Sequence, residues 1–200
     1  LVPGASLSFA SVGAPFLVGW QLSIVSDTKA YMFNEETERA YVWNPRTMQL
    51  TGASLDLSIG GREGYNFAYA ARDARLSGNF LFVPAYWYEE NEFFSLRTTA
   101  ALVIDVTRDR IVQIAEDERC AAFSLVPVPS GDIYAFPDGF FAREFYLDQP
   151  APRRPLCAVR IRAGQVGFDP SYVLDLGALV GGDAMAGGAV QGGFGDGLGN

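Results

Sequence analysis

AALVIDVTRDRIVQIAEDERC, residues 100–120, shows how the chain is built. A short apolar run, Ala101 to Ile104, meets a polar reversal, Asp105 to Arg110. A second β-branched run, Ile111 to Ile114, follows, and then an acidic loop. β-Branched side chains suit a pleated surface and Asp, Thr and Arg fill reversals, so the stretch predicts a β-hairpin. The pattern occurs twice more. Val42-Trp43-Asn44-Pro45-Arg46-Thr47 leads into Met48 to Leu50, and Val159-Arg160-Ile161-Arg162-Ala163-Gly164 leads into Gln165 to Phe168. Three similar hairpins in one chain indicate a repeat.

Outward from each hairpin the same order recurs. A turn and an aromatic strand precede it: Lys29 to Phe33, Gly78 to Val83, and Gly131 to Phe136. Before these lie Leu22 to Val25, Phe67 to Ala70 and Ala122 to Val126, one further strand candidate per unit. Four short strands recurring about every 50 residues is the layout of a β-propeller blade. The expected fold is all-β, a single β-propeller domain or part of one, with repeat units over 20–62, 63–117 and 118–176. Apolar spacing at i, i+3, i+4 and i+7 is not sustained anywhere, so helices should be few. Phe168 to Tyr172 is expected to break the third hairpin, with Val173 to Val180 forming a short helix or an outer strand. A β-sandwich also uses short strands at regular spacing, but the matched internal order favours the propeller.

A propeller closes with roughly four to eight blades, and this length supplies about three to four. The expectation is a partial or split ring, completed by a longer chain or by a second copy. From Gly177 onward the last 24 residues contain ten glycines. They read either as the opening of a fourth blade, at Ala184 to Gly193, or as a flexible Gly-rich tail.

Composition narrows the function classes. Apolar residues make up 49% of the chain, which suffices for one packed domain. A formal charge of −8 without a basic run argues against nucleic acid, because phosphate contacts need clustered Lys and Arg. No stretch approaches the roughly 18 apolar residues that span a bilayer. Residues 1–16 lack the basic and apolar regions of a signal peptide, so any targeting sequence is expected outside this sequence. With no histidine, a Ser-His-Asp triad, a Cys-His pair and the usual zinc sites all drop out.

The two cysteines, Cys120 and Cys157, both fall in the third unit. Cys120 follows the acidic turn where the unit begins, and Cys157 follows a long connector at the start of its strand. In a blade those points share one face, where a disulfide is feasible; two buried free thiols are the other reading. A disulfide favours an oxidising compartment.

Two connectors are unusual. Pro84 to Phe94 carries Tyr86, Trp87, Tyr88 and Phe93 among glutamates, and Pro137 to Tyr146 carries Phe140, Phe141 and Tyr146. Both are expected between the second and third strands of their units and hence on one face of a ring. Aromatic rings with Tyr hydroxyls can hold a planar or aryl ligand, or a partner protein, and these seven residues are the candidate ligand-binding set. The alternative is that they pack the loops onto adjacent blades. Asp105, Asp109, Asp117 and Asp138 are oxygen donors placed at turns. They lack the spacing of a calcium loop, and Asp105 more simply caps its reversal. The sequence therefore points to no catalytic residue, metal or cofactor.

The strand-turn-strand wording VIDVTRDRIVQ resembles YVTN-type propellers. Asp117 to Cys120, Cys157 to Ile161 and Phe168 to Tyr172 together look like the MxcI-like propeller proteins encoded beside bacterial siderophore-uptake systems. The resemblance implies an extracytoplasmic propeller, a lipoprotein in longer form, linked to ferric-siderophore uptake through an outer-membrane transporter. It brings no catalytic residues, and the lipid-attachment cysteine is absent. The function expected is thus a non-catalytic binding module of the cell envelope. The contrasting readings are a quinoprotein- or lyase-like propeller enzyme with its active residues elsewhere, and a structural scaffold.

Overall fold

The computed structural model describes residues 7–8, 12, 22–34, 36–89, 98–137 and 157–180. Its described strands form three antiparallel sheets, each met along the chain before the next begins. The first holds β1 (Leu22–Ile24), β2 (Ala30–Asn34), β3 (Arg39–Asn44) and β4 (Gln49–Asp56). The second holds β5 (Asn66–Tyr69), β6 (Arg75–Ser77), β7 (Phe80–Tyr88), β8 (Thr99–Asp105) and β9 (Arg110–Asp117). The third holds β10 (Ser124–Pro127), β11 (Ile133–Phe136), β12 (Cys157–Ile161) and β13 (Phe168–Asp175), and a short helix, α1 (Leu176–Val180), follows it. Neighbours in the first and third sheets are neighbours in sequence, as in a meander. Three successive sheets, two of them in meander order, are not the two facing sheets of a sandwich.

Burial shows how the sheets meet. Every residue of β8 is buried, which an apolar run without alternation permits only if both faces are covered. Successive side chains point to opposite faces. Leu81, Val83, Leu102 and Ile104 pack against Tyr31, Phe33, Ala40 and Val42 of the first sheet. Phe82, Ala101, Val103 and Ala115 pack the other way, onto Leu125, Ile133, Ala135, Val159 and Ile161 of the third. The second sheet is therefore sandwiched. The last strand of each sheet, β4, β9 or β13, carries exposed positions.

Polar groups lock the seams. Lys29 Nζ donates to the Val106 carbonyl at 2.7 Å and to both oxygens of Asp109 at 2.9 and 3.0 Å. The hydroxyl of the buried Tyr31 donates to Asp109 at 2.5 Å; burial, then this carboxylate, push its pKa up. Between the second and third sheets, Ser77 Oγ donates to the Gly131 carbonyl at 2.6 Å and Gln113 Nε2 to the Val166 carbonyl at 2.8 Å.

Three reversals follow one recipe. Asn34, Asn44 and Asp105 each accept backbone N–H groups two and three residues on, at 2.9 to 3.3 Å. Four residues after each stands a residue in the left-handed region: Glu38 at φ 48°, Met48 at 56° and Asp109 at 49°. A side chain there costs about 1–2 kcal/mol, which glycine avoids at some cost in unfolded-chain entropy. Met48 packs against a core cluster and Asp109 is ion-paired, whereas Glu38 is exposed. Glu38→Gly is therefore expected to stabilise the protein by about 0.5–1 kcal/mol, read as a raised urea midpoint at unchanged slope.

The structure corrects the sequence reading at three places. Pro84 to Tyr88 is not connector but the end of β7. Proline lacks the donor a ladder needs. Opposite Pro84, however, the partner strand is interrupted between β5 and β6 by a 3-10 turn over Ala71–Asp73, and the Pro84 carbonyl accepts from Ala70 N at 2.9 Å. In an extended strand a residue's N–H and C=O face the same side, so the missing donor faces this gap. That gap also makes β6 an additional strand. Third, Gln165 to Gly167 belong to the reversal, and the return strand begins at Phe168 rather than being broken there. Ile161 pairs with Phe168 and Val159 with Val173, so Asp169 to Tyr172 bulge opposite the single residue Arg160.

Candidate functional site

The end of the second sheet where β7 and β9 finish and β8 begins meets the start of the third sheet's first strand. Cys120 and Cys157 form a disulfide there, with Cα atoms 5.5 Å apart and both residues fully buried. The connector carrying Cys120 is also held by Thr99, whose Oγ1 donates to the Cys120 carbonyl at 2.8 Å and accepts from Ala122 N at 2.9 Å.

Alternation along β7 separates the predicted aromatic set. Trp87 points with Val83 and Ala85 toward the first sheet and is 1% exposed. Its Nε1 donates to the Gly60 carbonyl at 2.6 Å, and its ring lies 5.2 Å from Phe67. The Arg62 guanidinium covers it at 3.8 Å and grips both oxygens of Glu116 at 2.6 and 2.7 Å. Gly60 is tight enough that a Cβ would come within 2.2 Å of the Phe67 ring. Trp87 is thus a core residue with a satisfied polar handle.

Tyr86 and Tyr88 lie on the opposite face, half-buried, with ring centroids 6.0 Å apart. Tyr86 meets Phe123 edge-on at 5.5 Å, beside the disulfide. Phe123 was not singled out by the sequence; its position three residues after Cys120 is the signal that would have found it. Phe93, Phe140, Phe141 and Tyr146 lie outside the described residues, as does Asp138. The structure therefore brings together Tyr86, Tyr88 and Phe123 as a small, partly exposed aromatic surface across the seam of two sheets.

A second polar cluster lies in the bulge of β13. Asp169 is buried and accepts from Arg160 at 2.6 Å, Arg162 at 2.7 Å, and the Ser171 hydroxyl and N–H at 2.7 and 3.0 Å. Arg119, paired with Asp117, donates to the Asp169 and Pro170 carbonyls at 2.9 and 2.7 Å. Arg160 also lies 4.4 Å over the Tyr172 ring. The adjoining open cleft, about 670 Å³, is lined by Arg162, Phe168, Pro170 and Ser171. Asp169 and Ser171 already hold Arg162, which makes this a structural clamp for the bulge. No group of three acidic or cysteine side chains placed to hold a metal occurs among the described residues.

The clamp makes stability acid-sensitive. Hydrogen bonds from the Ser171 hydroxyl and then Arg160 and Arg162 hold Asp169 well below the usual carboxylate range. The Thr107 hydroxyl, with Arg108, does the same for Asp105. A folded-state pKa below the unfolded value of about 3.9 contributes stability that is fully present above that pH and lost progressively as pH falls from there through the folded pKa. The melting temperature is expected to drop steeply below about pH 4, and Asp169→Asn to flatten that slope while lowering stability at neutral pH.

No family model matches the chain, and no curated protein matches it. Among solved structures it is similar to the hydrazine synthase of Kuenenia stuttgartiensis, with a TM-score of 0.34 and 11% identity, over 78% of this chain. The chain spans about half, 48%, of the length of that one.

Proposed function

We propose that the three sheets are consecutive blades of a β-propeller and that the chain is a non-catalytic binding module of the cell envelope. Meander order and same-sense stacking support the blades: one face of the second sheet receives the first sheet and the other receives the third. The three blades among the described residues fall short of a ring, and the rest would come from other parts of a longer chain or from a second copy. The Cys120–Cys157 disulfide supports an oxidising, extracytoplasmic setting. The observation that carries the binding reading is the partly exposed cluster of Tyr86, Tyr88 and Phe123. Aromatic faces with hydroxyl handles suit an aryl or chelate ligand, and the family resemblance makes a ferric siderophore the ligand and an outer-membrane transporter the partner.

The test is a tryptophan-fluorescence titration with ferric hydroxamates, ferric catecholates and haem, corrected for ligand absorbance. Saturable quenching by one class is the expected result. A flat response to all of them from folded protein would remove the ligand-binding reading and leave a surface for protein contact.

A further inference from the structure

The outer strands share one irregularity. In the first sheet Trp43 pairs with Leu50, but Tyr41 then pairs with Ser54, so Thr51 to Ala53 oppose the single residue Val42. In the second, Ile104 pairs with Ile111 and Val103 with Gln113, which leaves Val112 over. In the third, Ile161 pairs with Phe168 and Val159 with Val173, around the bulge at Asp169 to Tyr172. The register therefore breaks within two pairs of the reversal in all three sheets. Each break lies in β4, β9 or β13, the last strand of its sheet among the described residues.

Different contacts hold each break. Gly52 takes φ 86°, which a side chain resists, and Thr51 Oγ1 donates to the Val42 carbonyl at 3.1 Å while accepting from Ala53 N at 3.3 Å. Gln113 is tied through its side chain to the Val166 carbonyl. At β13 the hold is the Asp169 clamp, and Pro170 takes one donor out of the edge. One geometry reached by three unrelated sets of contacts belongs to the position rather than to any one sequence. An outer strand offers a row of backbone donors and acceptors on which another strand can pair, and a bulge twists and interrupts that row. Strand β4 has the greatest need of this. Thr51 to Ser54 are all exposed, and QLTGASL contains neither charge nor proline.

We infer that the register breaks are a guard built into the rim: they bar a second copy of the chain from adding its outer strand to β4, β9 or β13. This rests on strand register alone and stands whether or not Tyr86, Tyr88 and Phe123 bind a ligand. Deleting Gly52 and Ala53 together tests it. Thr51 then faces Val42, while the pairs Trp43–Leu50 and Tyr41–Ser54 keep their places. In sedimentation velocity the deletion variant is expected to associate reversibly, its weight-average mass rising about twofold where the parent protein stays monomeric. Amide hydrogen exchange along β4 should slow in the associated form. Gly52→Val is the milder variant, because a Cβ there meets nothing within 4 Å and opposes the bulge only through the backbone. It should associate in the same way but less strongly. Circular dichroism and urea unfolding establish that each variant is folded, and Gly52→Val carries the test if the deletion is not. A folded variant that stays monomeric and loses only stability overturns the guard and makes the bulge a source of twist for sheet stacking. Association that leaves the β4 amides unprotected also overturns it, as does a parent protein that already pairs through β4.

Discussion

Trp87→Ala is expected to destabilise the protein by about 3–5 kcal/mol, the range for removing a buried aromatic side chain. The indole is 1% exposed, packs on Phe67 and underlies the Arg62 guanidinium. Its removal leaves a cavity between two sheets and strands the Gly60 carbonyl that now accepts its N–H. Arg62 would lose its stacking partner while keeping Glu116. Denaturant unfolding by circular dichroism measures the loss. A loss below about 1 kcal/mol would show that the ring is not the packing centre of this end and would return Trp87 to the ligand-contact set.

Replacing Cys120 and Cys157 together by alanine is expected to cost about 3–4 kcal/mol. In the chain-entropy model, that is the cost of reopening a loop spanned by a separation of 37 residues. The loss should not exceed this by much, because Thr99 still holds the connector through the Cys120 carbonyl and Ala122 N. The comparison is of urea midpoints for oxidised protein and the double variant, with the slope monitored for a change in the unfolded state. Equal midpoints would mean that Thr99 and the packing of the third sheet fix the connector unaided.

Most of the strand framework was legible because each signal was local. The run ALVI in β8 lacks alternation, as a strand covered on both faces must, and Asn44 and Asp105 mark reversals through bonds two and three residues on. What escaped was set by register. Tyr86-Trp87-Tyr88 offers no polar contrast, so the sequence alone cannot say which rings face inward; pairing of Trp87 with Phe67 and of Ala85 with Ala100 decides it. Asp169 reads locally as a turn former, yet its partners Arg160 and Arg162 come from the strand and reversal before it. The β6 strand, Arg75–Ser77, is too short to show a period; it pairs with Phe80 to Phe82 of β7 beyond the 3-10 turn that faces Pro84.

We propose a division of labour within one strand: Trp87 builds the fold, and Tyr86 and Tyr88 form the contact surface. The most direct test is the double variant Tyr86→Ala and Tyr88→Ala, with thermal stability and the tryptophan-fluorescence titration with ferric hydroxamates, ferric catecholates and haem measured on the same sample. The predicted result is loss of saturable binding, with less than about half of the stability cost of Trp87→Ala, since both rings are only half-buried. Unchanged binding, or a stability loss as large as that of Trp87→Ala, would contradict it.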